Sequence, residues 1–246
     1  MQNLSAYTRI GAALLLAGVI AAPVFYFVAG SVALTALALS SVLLGAVALL
    51  LARSLPRIPP QAARLLLEAG LDNLAALIEE LGVDARAIYL PSTLSGGKPR
   101  ALIPLHANPG PPEITRTLPR RMIVDFGPNP EDVGVLVTTP GSAVVPLLET
   151  PPGPMSSELE AALARVLAGA LDVASAVQVA QDAGTVTVEI MGLRLETDDL
   201  WIYQVLGSPV ASVAAAVVAE GLRRPVTIAS EEHAGDRLTV HLEVMR

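Results

Sequence analysis

The chain has 246 residues, with 16 Lys plus Arg against 23 Asp plus Glu, three His and no Cys. A net charge of −7 and an aromatic content of 3% argue against nucleic acid as a partner. The absence of cysteine excludes disulfide scaffolds, thiolate metal sites and Cys nucleophiles, while a mean hydropathy of +0.57 is too high for an ordinary soluble domain and places part of the chain in lipid.

That part is the N-terminus. No charged residue lies between Arg9 and Arg53, a run about twice the ~20 residues that cross a hydrocarbon core. Ala29-Gly30-Ser31 interrupts it, so residues 10–28 and 32–52 are predicted to be two membrane helices joined by a tight turn. Phe25, Tyr26 and Phe27 stand beside the turn, where an aromatic belt is expected. The run is far longer than the h-region of a signal peptide, and the hairpin carries no ionisable side chain at mid-membrane. It reads as an anchor. Small residues on the second helix, including Ala38, Gly45 and Ala48, offer a surface for close helix approach. Arg9 before the hairpin and Arg53, Arg57 and Arg64 after it place both termini in the cytoplasm of a two-span cell-membrane protein.

Residues 55–60, with Pro56, Pro59 and Pro60, form a stiff linker. The hairpin thus occupies residues 1–54 and a cytosolic domain residues 61–246, with candidate halves 61–150 and 155–246. All 23 acids lie beyond the hairpin, so this domain is repelled by an anionic leaflet.

Helical spacing of Leu65, Leu66, Leu74, Leu77, Ile78 and Leu81 predicts a helix over 61–81, stopped by Gly82 and bent or divided at Gly70. Strands follow at 86–90 and 100–105 around Ser95-Gly96-Gly97-Lys98, then a Pro-rich loop over 108–119. Further strands at 122–126 and 133–138 flank Gly127-Pro128-Asn129-Pro130. Ser156 or Ser157 caps a helix reaching 171. Strands 176–180 and 185–191 form a hairpin about Asp182-Ala183-Gly184, with Val186, Val188 and Ile190 on one face. Ser208-Pro209 opens an Ala/Val helix over 210–222. Strands 225–230 and 237–245 close the chain.

Dominant hairpins and a helix at the start of each half predict a two-layer α+β sandwich with a mainly antiparallel sheet and a weak internal duplication.

The motifs that invite chemistry all have plainer readings. Leu94-Ser95-Gly96-Gly97-Lys98 resembles the signature loop of transporter ATPases, yet it leads into a strand and no phosphate-binding loop accompanies it. Glu231-Glu232-His233-Ala234-Gly235-Asp236 is the densest set of hard-metal ligands, but it lacks calcium-loop spacing and reads as a solvated turn. His241 belongs on the outer face of its strand. Ser142 and Ser208 lack the Gly-x-Ser-x-Gly elbow. No residue is assigned a catalytic, cofactor-binding or metal-binding role. The one candidate interaction face is the Ala211, Ala215 and Ala219 side of the Ala/Val helix, which is too apolar to lie bare.

The uncharged run at 10–52, Ile88-Tyr89-Leu90-Pro91 with Ala101-Leu102-Ile103-Pro104-Leu105, and the Gly207-Ser208-Pro209 helix with its closing hairpin together resemble uncharacterised archaeal membrane proteins with an N-terminal two-helix transmembrane hairpin and a cytosolic α+β domain. The resemblance implies that architecture and carries over no catalytic residue. The functional expectation is a membrane-anchored, non-enzymatic protein whose head binds a protein partner, a membrane-complex subunit or a second copy. The alternatives are a small-molecule sensor with its ligand between the sheet and the Ala/Val helix, and an enzyme using carboxylates.

Overall fold

The computed structural model describes residues 6–54, 60–83, 85–106, 114, 117–195 and 200–245. It divides into two units, Met1–Glu68 and Ala69–Arg246. The linker positions 55–59 and most of the 108–119 loop lie outside the described residues.

In the first unit, α1 (Ala6–Phe27) and α2 (Val32–Ser54) form an antiparallel pair. Their segments Arg9–Phe27 and Val32–Leu50 are each long and apolar enough to cross a membrane. Pro23 sits inside α1 without ending it. The turn between the helices uses Gly30 at φ +61, a left-handed value that costs glycine little. Ser31 then starts α2 by accepting a hydrogen bond from the Leu34 N–H.

The helices meet through small residues. A Cβ on Gly45 would lie 2.7 Å from the Leu15 nitrogen, and one on Gly18 would lie 2.7 Å from the Ala38 carbonyl oxygen. Gly11 faces Ala48 in the same seam. The small residues of α2 therefore serve contact within the hairpin, where lipid supplies no hydrophobic drive and packing must hold the pair. Ser40 and Ser41 return their hydroxyls to the Ala36 and Leu37 carbonyls, so neither presents an unpaired donor. Leu16, Ile20, Leu37, Leu43 and Leu50 point outward, as lipid contact requires.

The head is a mixed α+β domain with one unclosed, fully antiparallel sheet of eight strands. Before it comes α3 (Pro60–Glu80), continuous through Gly70 rather than divided there, because one glycine costs a helix only about 1 kcal/mol. The strands are β1 (Ile88–Leu90), β2 (Arg100–Pro104), β3 (Ile123–Asp125), β4 (Val133–Val137), β5 (Ala176–Asp182), β6 (Thr185–Met191), β7 (Val226–Ala234) and β8 (Arg237–Val244). Their order is β3-β4-β2-β1-β7-β8-β6-β5. Each set of four is contiguous, and β1 joins the sets by pairing Ile88 and Tyr89 with Thr227 and Val226.

The helical elements of the head are α4 (Pro140–Val144), α5 (Ser156–Ala164), α6 (Ile202–Leu206) and α7 (Pro209–Leu222). A 3-10 turn extends α4 through Val145–Leu147, and a π-helical turn extends α5 through Arg165–Ala170. The expected serine cap of α5 is displaced by one position. Met155 is the cap residue, and the Glu158 carboxylate accepts from its N–H at 3.1 Å. Ser156 instead donates to the Gln181 side chain.

Alternation along the strands sends Tyr89, Ala101, Ile103, Val135, Val186, Val188, Ile190, Val240 and Leu242 into one large core with α7. On the other face of the first strand set, Ile88, Leu90, Leu102 and Leu136 pack under Ile114, Leu118 and Phe126. On that face of the second set stand Thr187, Glu189, Thr239, His241 and Glu243, none of them buried. His241 approaches the Thr187 hydroxyl at 3.2 Å, on the outer face as its alternation requires.

The centre of the core is α7. The segment Ile202–Leu222 also has the length and hydropathy of a membrane span, yet most of it is buried in the protein. Gly207 at φ +74, Ser208 and Pro209 break it into α6 and α7. Ser208 caps α7 by accepting from the Ala211 N–H, and every residue from 210 to 219 is 3% exposed or less. At its far end, Glu220 receives the Ser92 N–H at 2.7 Å and the Ser92 hydroxyl at 2.6 Å. Gly141 of α4 meets its flank so closely that a Cβ there would lie 2.3 Å from the Ser212 carbonyl oxygen.

Candidate functional site

β7 is longer than its composition suggests. The acidic run from Glu231 to Ala234 continues the strand, pairing with Val240, Thr239, Leu238 and Arg237 of β8; only Gly235-Asp236 turns. The expected solvated turn over 231–236 is therefore corrected to strand plus a two-residue turn. Cross-strand hydrogen bonding overrides weak local propensity.

An irregularity between Ile228 and Ser230 leaves Ala229 as an extra residue opposite β8. Such a bulge frees carbonyl groups from the ladder and re-aims the strand. Here the freed carbonyls are taken by Arg86, which precedes β1. Its Nη1 donates to the Ile228 oxygen at 3.0 Å and also to the Ala229 oxygen. The guanidinium thus closes the edge of β7 where pairing with the short β1 ends.

Beyond the bulge, Glu231 turns toward the helix layer. One carboxylate oxygen, Oε1, accepts the Ser208 N–H at 2.9 Å, at the start of α7. This is a favourable place for a negative charge. Gly207 makes the approach feasible, since a Cβ there would lie 2.4 Å from the Ile228 Cδ1 and 2.8 Å from the Glu231 Oε1. From below, Tyr89 fixes the same junction by donating its hydroxyl to the Leu206 carbonyl. Burial pushes the Tyr89 phenol far above its ordinary value; the Glu231 charge adds to the rise, and hydrogen bonds with Ser212 and Thr139 offset part of it. Tyr89 therefore stays protonated and a donor at any physiological pH.

Between these fixed groups lies a cleft of about 630 Å³. Val205 and Ile228 give it an apolar floor; Tyr203, Gln204, Ser230 and His233 join Arg86 and Glu231 around it.

The sequence-marked residues scatter relative to this cleft. Ala211, Ala215 and Ala219 are each 0% exposed within the core of the head. Ser208 is a helix cap whose own N–H is occupied by Glu231. Ser142 and Thr139 form a buried reciprocal cap at the start of α4. The Leu94–Lys98 segment is a structured turn in which the Ser95 hydroxyl lies within hydrogen-bonding reach of the Pro91 and Lys98 carbonyls. Side chains rather than open space fill the region between the sheet and α7, where the sequence placed a candidate ligand, and the cleft lies instead at the start of α7. Among the described residues, no group of three His, Asp or Glu side chains is arranged to hold a metal. Nothing in the local sequence distinguishes Arg86, Tyr203 and Gln204. The one available signal was Gly207, a glycine directly before a Ser-Pro helix start.

A family model described as "Domain of unknown function (DUF7982)" matches residues 2–244, and the chain belongs to that family. No curated protein and no solved structure matches it.

Proposed function

We propose that this member of the DUF7982 family is a membrane-anchored binding protein whose head takes up a small polar molecule on the cytoplasmic side and acts as a tethered sensor. The observation that carries the reading is the cleft at the α6–α7 junction. Its volume of about 630 Å³ lies within the roughly 300–1,000 Å³ typical of small-ligand sites. Seven of its ten lining residues carry polar side chains, which favours a polar occupant over an apolar one. A second reading, docking of a protein partner, is favoured by Met122 and Ile123, which are 58% and 62% exposed at the outermost strand β3. The two contiguous strand sets in matching order, β3-β4-β2-β1 and β7-β8-β6-β5, support an origin of the head by internal duplication.

Dialysis of a cell metabolite extract against the full-length protein in detergent tests the binding reading. The protein is expected to enrich a small molecule that Ser230→Trp, which fills the rim of the cleft, does not. Equal enrichment by both proteins, or none by either, would remove the reading.

Orientation has its own test, because a chain without cysteine accepts single reporters cleanly. In intact cells, a cysteine at Ser31 is expected to react with an impermeant maleimide while one at Ser230 is protected. Labelling at Ser230 would put the head outside.

A further inference from the structure

We infer that the cleft at the start of α7 takes a small zwitterion of the free amino-acid class, its carboxylate on Arg86 and its ammonium on Glu231. The inference rests on the binding reading above and deepens it.

Arg86 and Glu231 line the same cleft with opposite charges, yet among the described residues they make no ion pair with each other. Each is held by backbone instead. The Nη1 of Arg86 donates to the Ile228 and Ala229 carbonyls. What remains is the Nε–Nη2 edge, the planar fork that matches a carboxylate with two parallel hydrogen bonds. On Glu231, Oε1 is committed to the Ser208 N–H and Oε2 is left to accept. A cation and an anion fixed in one cleft and not neutralising each other form the complement of a molecule carrying both charges. Fixing them in advance removes the rotamer entropy that long charged side chains lose on binding. Gln204 and the apolar floor of Val205 and Ile228 lie alongside for the rest of the ligand.

The test titrates full-length protein with each proteinogenic L-amino acid by calorimetry. Fluorescence of Trp201, the single tryptophan and a neighbour of the lining residues Tyr203 and Gln204, supplies a second readout. N-acetyl amino acids, which keep only the negative charge, and amino-acid methyl esters, which keep only the positive one, serve as controls. At least one free amino acid is expected to bind, with both single-charge forms weaker by about tenfold or more. Glu231→Gln retains an oxygen for the Ser208 N–H and removes the charge. It is expected to leave the melting temperature of the free protein near that of the parent while weakening the amino acid by about tenfold or more and leaving the methyl ester no better bound than the N-acetyl form. Arg86→Lys, which keeps charge without the fork, is expected to weaken the free amino acid and the N-acetyl form alike.

Single-charge forms that bind as well as the parent amino acid would overturn the inference, as would a Glu231→Gln protein with unchanged affinity. If no amino acid binds while the dialysis above enriches another molecule in a cleft-dependent way, the zwitterion assignment falls and the binding reading stands. If neither experiment registers binding, both fall.

Discussion

Val217→Asp is expected to unfold the head. Val217 is 0% exposed at the middle of α7, inside the core that joins helices to sheet. An aspartate there would be an unpaired carboxylate in an apolar interior, or a protonated acid without an acceptor. Either state costs about 4–5 kcal/mol, a large part of the ~5–15 kcal/mol that holds a domain together. The melting temperature, followed by Trp201 fluorescence, should fall by on the order of 10–20 °C if folding survives at all. Ala215→Glu refines the result. Ala215 is also 0% exposed, with the sheet on one side of α7 and α4 and α5 packed against it. A glutamate at this position should likewise destabilise the head, since the core has no room for four added heavy atoms. A protein carrying Ala215→Glu that melts with the parent would mean that this side of α7 is open. The Ala211, Ala215 and Ala219 face would then be available to a partner.

Gly45→Leu is expected to break the membrane hairpin. Even a Cβ at position 45 would sit 2.7 Å from the Leu15 nitrogen and 2.8 Å from the Gly11 carbonyl oxygen, both backbone atoms that cannot swing aside. The helices must separate or shift, and separation gives up the close packing that associates helices in lipid. A loss of about 1–3 kcal/mol is the ordinary cost of overpacking, and a backbone clash belongs at its upper end. Reduced accumulation in the membrane and faster proteolysis of the α1–α2 turn would report it. Leu16→Ala, at a residue 60% exposed on the lipid-facing side, is the control and should behave as the parent. Equal behaviour of the two variants would show that the glycine seam does not hold the pair.

Residues 10–52 announce a hairpin because spanning a bilayer depends on summed hydropathy and length, both properties of a contiguous segment. Strands β5, β6 and β8 are similarly visible in their alternation, and α7 in its Ser-Pro start followed by an unbroken Ala/Val run. Segments whose state is set by distant partners could not be read this way. Glu231–Ala234 looks like a turn because its acids are poor strand formers, and pairing with β8 outweighs that preference. The cleft is the extreme case. Arg86 reaches carbonyls 142 and 143 residues away, exposed by a bulge that no local pattern encodes, and Glu231 finds an N–H 23 residues back along the chain. Hydropathy and period are local sums, whereas the meeting of one guanidinium, one carboxylate and one helix start depends on strand order and register, which exist only once the sheet has formed and packed against α7.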